Sequence, residues 1–393
     1  MVATERRIST AQLFTVVFIL GMSLKMLMLP VLMLKAVGRD SVLGMAVVLG
    51  SEFICLAAMI AAVVLSPQKS FTELLEQCVG KIAAKIVFCL LALFFFCKLL
   101  LLSGEVRIFF SENLFGESPW SLYSLPFFGI CVVMGMGSLR TLGRSVQFLF
   151  PFIVGATVVM FALIGTGVEF SEVLPIGEFG WRNVSRAAYR HAMWYGDHSV
   201  LIVCLGAVKR TKKTAAITAV AGVLSACVVL FFMFGLTATF SNVCYLIRYG
   251  QNVTGMSHYA LGNVMQGRFD LMLFCVWMFS VFLKAGFFMY AVVFFVRAVV
   301  PVNNAWPSLI TGALLYGITL MITSATGLHT FMIRYAAAPA LAFQFAVPAV
   351  MLLVALAGRR KQKRKENAQP HVAAKDQSAP PKSETQGANH ETE

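Results

Sequence analysis

Charge is scarce in this sequence. Asp, Glu, Lys and Arg together supply 13% of its 393 residues, against about 25% in a typical soluble domain, while 59% of the residues are hydrophobic. That balance excludes water as the solvent for most of the surface. Polar separators are few as well. Apolar runs of about twenty residues, the length that crosses a hydrocarbon core, recur from residue 10 to residue 357 and leave no room for a separate globular domain. Catalytic signatures are also missing: there is no Ser-His-Asp order with a nucleophile elbow, no phosphate-binding G-x-x-x-x-G-K-[ST], and no G-x-G-x-x-G after a strand. An enzyme is not expected, and no cofactor is called for. The nine cysteines are scattered, form no C-x-x-C pair and read as small hydrophobes, not as metal or redox ligands.

What is present is a series of apolar windows separated by Pro, Gly and charge clusters. They place spans near 10–34, 41–65, 84–109, 122–139 and 146–168, then near 187–208, 214–240, 270–297, 306–326 and 337–357. The expected fold is an all-α polytopic membrane domain over residues 1–365, with about ten transmembrane helices. The Arg6-Arg7 pair precedes an apolar run that lacks a small-residue cleavage site, so the first run reads as a retained span. With the amino terminus inside, basic residues are roughly twice as frequent in the internal segments as in the external ones, which puts both termini in the cytoplasm. The net charge of +14 is thereby a matter of topology. Its residues form no aromatic-interleaved stripe of the kind that binds nucleic acid.

Two segments do not read as spans. Ser70 to Lys85 is too polar to cross but sets Phe71, Leu74, Leu75, Cys78, Val79 and Ile82 at helical spacing, the pattern of a short helix lying on the inner surface. Residues 366–393 lack aromatics and are rich in Ala, Gln, Pro, Lys and Glu, as expected of a disordered cytoplasmic tail. The basic run from Arg359 to Lys365 just before it is suited to anionic membrane lipid.

The candidate functional residues lie where the spans ought to fail as continuous helices. The first contains Gly21, Met22, Ser23 and Lys25, followed by Pro30; the sixth contains Trp194, Gly196, Asp197 and His198. Each opens a set of five spans. Two interrupted helices at corresponding positions point to the binding site of an inverted-repeat transporter, a 5+5, LeuT-like arrangement with broken first and sixth helices. Unwinding frees N–H groups at one half-helix end and carbonyls at the other, and these ends can hold the carboxylate and ammonium of a small guest. The alternative is that the two glycines serve only close helix packing.

Further intramembrane charges are Glu52, Lys98, Glu105 and Lys284, each costing on the order of 2.5–3.5 kcal/mol if left unpaired at mid-bilayer. They are expected to couple to function or to pair structurally. Lys98 and Glu105 are nearly aligned on one helical face, though Glu105 lies close enough to a span end to be interfacial. In the eighth span Trp277, Ser280, Lys284 and Phe288 share a face that can line a cavity. Lys284 reads equally as half of a buried Lys-Glu pair. Lys25 adjoins the first break, where its ammonium would stand in for a coupling sodium ion. His191 and His198 lie two helical turns apart, too far for the usual i, i+4 metal pair, and no metal site is expected.

Several stretches resemble the B-subunit family of spore germinant receptors (the GerAB type), itself similar to permeases of the amino acid–polyamine–organocation superfamily. They are Ile8-Ser9-Thr10-Ala11-Gln12-Leu13-Phe14, Gly38-Arg39-Asp40-Ser41, Ser70-Phe71-Thr72-Glu73-Leu74 with Gly80-Lys81, and Gly143-Arg144. Leu174-Pro175-Ile176, and Arg268-Phe269-Asp270 followed by Trp277 and Lys284, complete the set. Asp197 fills the acidic position that such a protein carries after the glycine of the sixth span. The first span departs from the family, with Gly21-Met22-Ser23-Leu24-Lys25 in place of a run of glycines. That change narrows the cavity and introduces a cation.

The resemblance implies the five-plus-five repeat, a midplane pocket between the first, third, sixth and eighth spans, and a small nutrient ligand such as an amino acid. It also implies residence in the inner membrane of a spore and assembly with A-type and C-type receptor subunits. Three functions compete: a germinant-sensing receptor subunit, a proton-linked amino-acid or polyamine permease, and a non-binding membrane scaffold. The last is favoured if Met22, Lys25 and Met26 fill the break.

Overall fold

The computed structural model describes residues 8–26, 28–66, 69–111, 120–164, 170–208, 211–240, 269–322 and 325–376, and they are helical almost throughout. In chain order the helices are α1 (Thr10–Met22), α2 (Leu29–Val37), α3 (Ser41–Leu65), α4 (Phe71–Val79), α5 (Lys81–Phe110), α6 (Trp120–Met136) and α7 (Leu139–Ile164). They continue with α8 (Trp181–Arg190), α9 (Lys212–Phe240), α10 (Phe269–Val299), α11 (Ala305–Met321), α12 (Ala325–Phe331) and α13 (Ala337–Asp376). Among the described residues six helical stretches are long and apolar enough to cross a membrane: Leu29–Leu65, Lys81–Phe110, Leu139–Ala162, Lys212–Ala238, Met278–Val299 and Gly327–Gln362. Thr10–Met22, Ser124–Met136 and Ala305–Met321 are shorter apolar helices.

The surface is apolar. Ile54, Ile86, Leu93, Val133, Phe148 and Phe152 are all exposed, as side chains facing acyl chains should be. The interior is closed by aromatic stacking between α5 and α10. Phe95 and Phe295 lie parallel, with ring centroids 6.0 Å apart, Phe88 and Phe288 extend the stack, and Phe71 of α4 meets Phe295 edge-on. α5 makes its most extensive contacts with α10, and α1 packs between α7 and α9.

Local chemistry explains the segments singled out at the start of the chain. Ser9 and Gln12 form a reciprocal capping box: Ser9 Oγ accepts from Gln12 N at 3.1 Å and Gln12 Oε1 accepts from Ser9 N at 3.0 Å, which satisfies two otherwise orphaned N–H groups. Just before it, Ile8 N donates to Ala207 O at 3.1 Å, tying the start of the first span to the end of the sixth. Gly206, at φ +83°, meets the backbone of Lys69 and Ser70 so closely that an added Cβ would lie 2.5 Å from Lys69 O.

The Gly38-Arg39-Asp40-Ser41 turn and the Leu174-Pro175-Ile176 loop also meet. Asp40 is buried and accepts from the backbone N–H groups of Gly177 at 2.5 Å and Phe179 at 2.7 Å. Arg39 Nη1 donates to Leu174 O at 2.7 Å.

Several boundaries differ from expectation. The first span runs on to Val37, because Pro30 sits in the first turn of α2, where a missing N–H costs nothing. The sixth begins at Trp181, earlier than residue 187: α8 buries Val184, Ala187 and Ala188 and turns its arginines outward, so a hydropathy window undervalues it. The tenth begins at Ala325, and its continuation α13 runs to Asp376, past the expected start of a disordered tail at 366; a helix already nucleated propagates cheaply through Ala, Glu, Lys and Gln. Residues 377–393 lie outside the described residues, as do Arg6, Arg7, Arg268 and the stretch 165–168 of the expected fifth span. In the surface helix only Phe71, Leu74 and Leu75 are buried, whereas Val79 and Ile82 are exposed; the helix stops at Val79 and α5 starts at Lys81.

Candidate functional site

Both expected interruptions are present. The first span breaks after Met22, passes through a short turn of 3-10 helix at Leu24–Met26, and resumes as α2. The sixth breaks after Arg190: one turn of 3-10 helix, Ala192–Trp194, leads through extended Tyr195 and left-handed Gly196 into a tight 3-10 helix, Asp197–Cys204. Gly196 has φ +84°, a conformation that calls for glycine, and an added Cβ would also press on the Gln344 side chain, meeting Cγ at 3.1 Å.

The two breaks face each other and are stitched by charge. Lys25 Nζ donates to Gly21 O at 2.8 Å and lies 2.9 Å from Glu52 Oε2 and 3.8 Å from Asp197 Oδ2. Glu52 Oε1 accepts from Gly196 N at 2.5 Å. Lys98 donates to the carbonyls of Met193, at 2.8 Å, and Tyr195, and lies 3.4 Å from Asp197 Oδ1. Lys284 lies 2.5 Å from Asp197 Oδ2. Every one of these five charged side chains is at most 3% exposed. Buried charges persist when they are paired.

The arrangement obeys the logic of half-helix ends. Carbonyls freed at the end of α1 and after α8 receive ammonium groups, and the N–H freed at Gly196 receives a carboxylate. Charges of the chain itself therefore occupy the backbone groups that the two breaks set free. Met22 and Met26 are fully buried beside them.

A second cluster adjoins the first. Trp194 Nε1 donates to Glu105 Oε1 at 2.7 Å, and His329 Nε2 lies 3.0 Å from the same oxygen. Trp194 packs edge-on between His191 and His329. Glu105 is thus wholly buried within the protein, and Lys284 pairs with Asp197, not with a glutamate. His198 does not join the charged cluster: its Nε2 lies 3.3 Å from Val17 O. The side chain of Trp277 lies outside the described residues, while Ser280, Lys284 and Phe288 do fall on the inward face of α10.

Among the residues that the sequence did not single out, His329, Tyr195 and Gln344 touch the breaks. The signal for His329 was available, a lone imidazole within the last apolar stretch. Tyr195 acts through its backbone carbonyl, which no side-chain reading reaches. An apolar crevice is lined by Leu13, Leu56, Met59, Leu201, Val208 and Thr218, with no charged side chain in its lining.

A polytopic helical membrane protein with two interrupted helices meeting over a buried charge cluster is the class these features define. The sequence model of the spore permease family, described as spore germination protein, matches residues 7–331. The chain belongs to that family. Among solved structures it is similar to Mhp1, a nucleobase-cation-symport-1 family transporter in a closed conformation with bromovinylhydantoin bound, at 15% identity and a TM-score of 0.48, covering 92% of this chain and 93% of that one. No curated protein matches the chain significantly.

Proposed function

We propose that the protein is the nutrient-sensing membrane subunit of a spore germination receptor, binding a small amino-acid-type ligand between the two breaks, with no catalytic role. The observation that carries this reading is the pairing of freed backbone groups with internal charges, Lys98 on the carbonyls of Met193 and Tyr195 and Glu52 on the N–H of Gly196. Those bonds hold the breaks in one arrangement. A ligand that offers the same charges can exchange for them and shift the segment. Residence in the spore inner membrane with both termini cytoplasmic, and assembly with A-type and C-type subunits, complete the reading.

The test is direct binding of a panel of amino acids to the purified full-length chain, paired with uptake into proteoliposomes. Saturable binding without accumulation supports a sensor. Accumulation driven by a proton gradient replaces it with a permease. The full burial of Met22, Lys25 and Met26 favours a second reading, a membrane scaffold whose pocket is permanently filled; absence of binding by every ligand would establish it.

A further inference from the structure

The charge cluster is unbalanced. Three ammonium groups, those of Lys25, Lys98 and Lys284, face two carboxylates, Glu52 and Asp197. Glu105 does not redress the balance, since it is bonded to Trp194 and His329 and not to a lysine. Each oxygen of the two carboxylates already has a partner: Gly196 N–H and Lys25 on Glu52, Lys98 and Lys284 on Asp197. Glu105 Oε2 and Gln344 Oε1 are buried acceptors without a partner among the described residues, but neither residue is bonded to a lysine.

Donors, by contrast, are unspent. Lys284 makes one hydrogen bond, to Asp197, of the three an ammonium can donate. One helical turn before it on α10, the buried hydroxyl of Ser280 has no hydrogen-bond partner among the described residues, and the same holds for Ser23 Oγ in the first break and for Ser199 Oγ and His198 Nδ1 beyond the second. Buried polar atoms without partners are rare enough to require a reason.

We propose that the site takes a ligand of net charge −1, whose carboxylate docks on Lys284 and Ser280 and cancels the surplus ammonium charge. This deepens the sensing role and rests on the reading of the two breaks as a ligand site. A simple zwitterion brings no net charge and leaves the surplus in place. A carboxylate anion, free or as the side chain of an acidic amino acid, satisfies both the charge and the idle hydroxyls.

The experiment is calorimetric titration of the purified full-length chain with four small probes: propionate, glutamate, alanine and alaninamide. Propionate or glutamate is expected to bind about tenfold more tightly than alanine, and alaninamide not at all. Lys284→Met is expected to abolish anion binding. Glu52→Gln keeps an acceptor for Gly196 N–H and raises the surplus by one charge, so it is expected to tighten anion binding; it serves also if Lys284→Met does not fold. Tighter binding of alanine or alaninamide than of either anion overturns the proposal and leaves the ligand site standing. No binding of any probe to the unmodified chain or to Glu52→Gln overturns both.

Discussion

The carboxylate of Asp197 lies 2.5 Å from the ammonium of Lys284, and both residues come from the second set of five spans, one from the broken sixth span and one from the continuous helix α10. The pair is wholly buried. The same carboxylate is shared with Lys98 of α5 and Lys25 of the first break, so one acidic side chain organises three cations.

Asp197→Asn is therefore expected to be far more damaging than any single lysine replacement, because it strands three ammonium groups without a common counter-ion. Breaking a buried pair in this way costs about 3–5 kcal/mol. Thermal unfolding in detergent should show Asp197→Asn well below Lys284→Met, with the Asp197→Asn/Lys284→Met double variant between them.

Gly21 is held by space. An added Cβ would lie 2.2 Å from Ser225 Oγ and 2.8 Å from Ser225 Cβ. Gly21→Ala is expected to lower stability by about 1–3 kcal/mol through overpacking. Ser225→Gly in the same chain should recover most of the loss, which differential scanning fluorimetry can measure.

Asp40 fastens the loop between the fifth and sixth spans by accepting two backbone N–H groups. Asp40→Ala leaves those donors without partners at a cost of about 1–3 kcal/mol. Amide exchange at residues 177–180 should accelerate in the variant while the cores of α5 and α10 keep their protection.

Trp194 can report on the second break. Its indole N–H is bonded to Glu105, so any displacement of the sixth segment changes the environment of the ring. In a chain whose other four tryptophans are replaced by Phe, ligand binding is expected to shift Trp194 emission. Glu105→Leu should shift the unliganded emission and diminish the ligand effect.

The helical character and the two interruptions were legible because they rest on composition: long apolar runs, and polar groups coinciding with glycine in two of them. The residues of the charge cluster were legible for a related reason, since Lys25, Glu52, Lys98, Asp197 and Lys284 cannot face lipid. Their pairing was not. Lys98 and Met193 are brought together by tertiary packing across 95 positions, which no periodicity encodes. The start of the sixth span was hidden because α8 is amphipathic, and the role of Tyr195 because it is exerted by a peptide oxygen common to all residues.

The shape of the interruption at 191–196 is imposed from outside it. The carbonyls of Met193 and Tyr195 are held by a side chain of α5 and the amide of Gly196 by one of α3, so beyond the single turn closed by Trp194 N on His191 O the segment depends on bonds from other helices. A substitution at position 98 or 52 can thus reset how readily the segment moves without altering a single atom of that segment. Responsiveness and recognition become separately adjustable properties of the one chain.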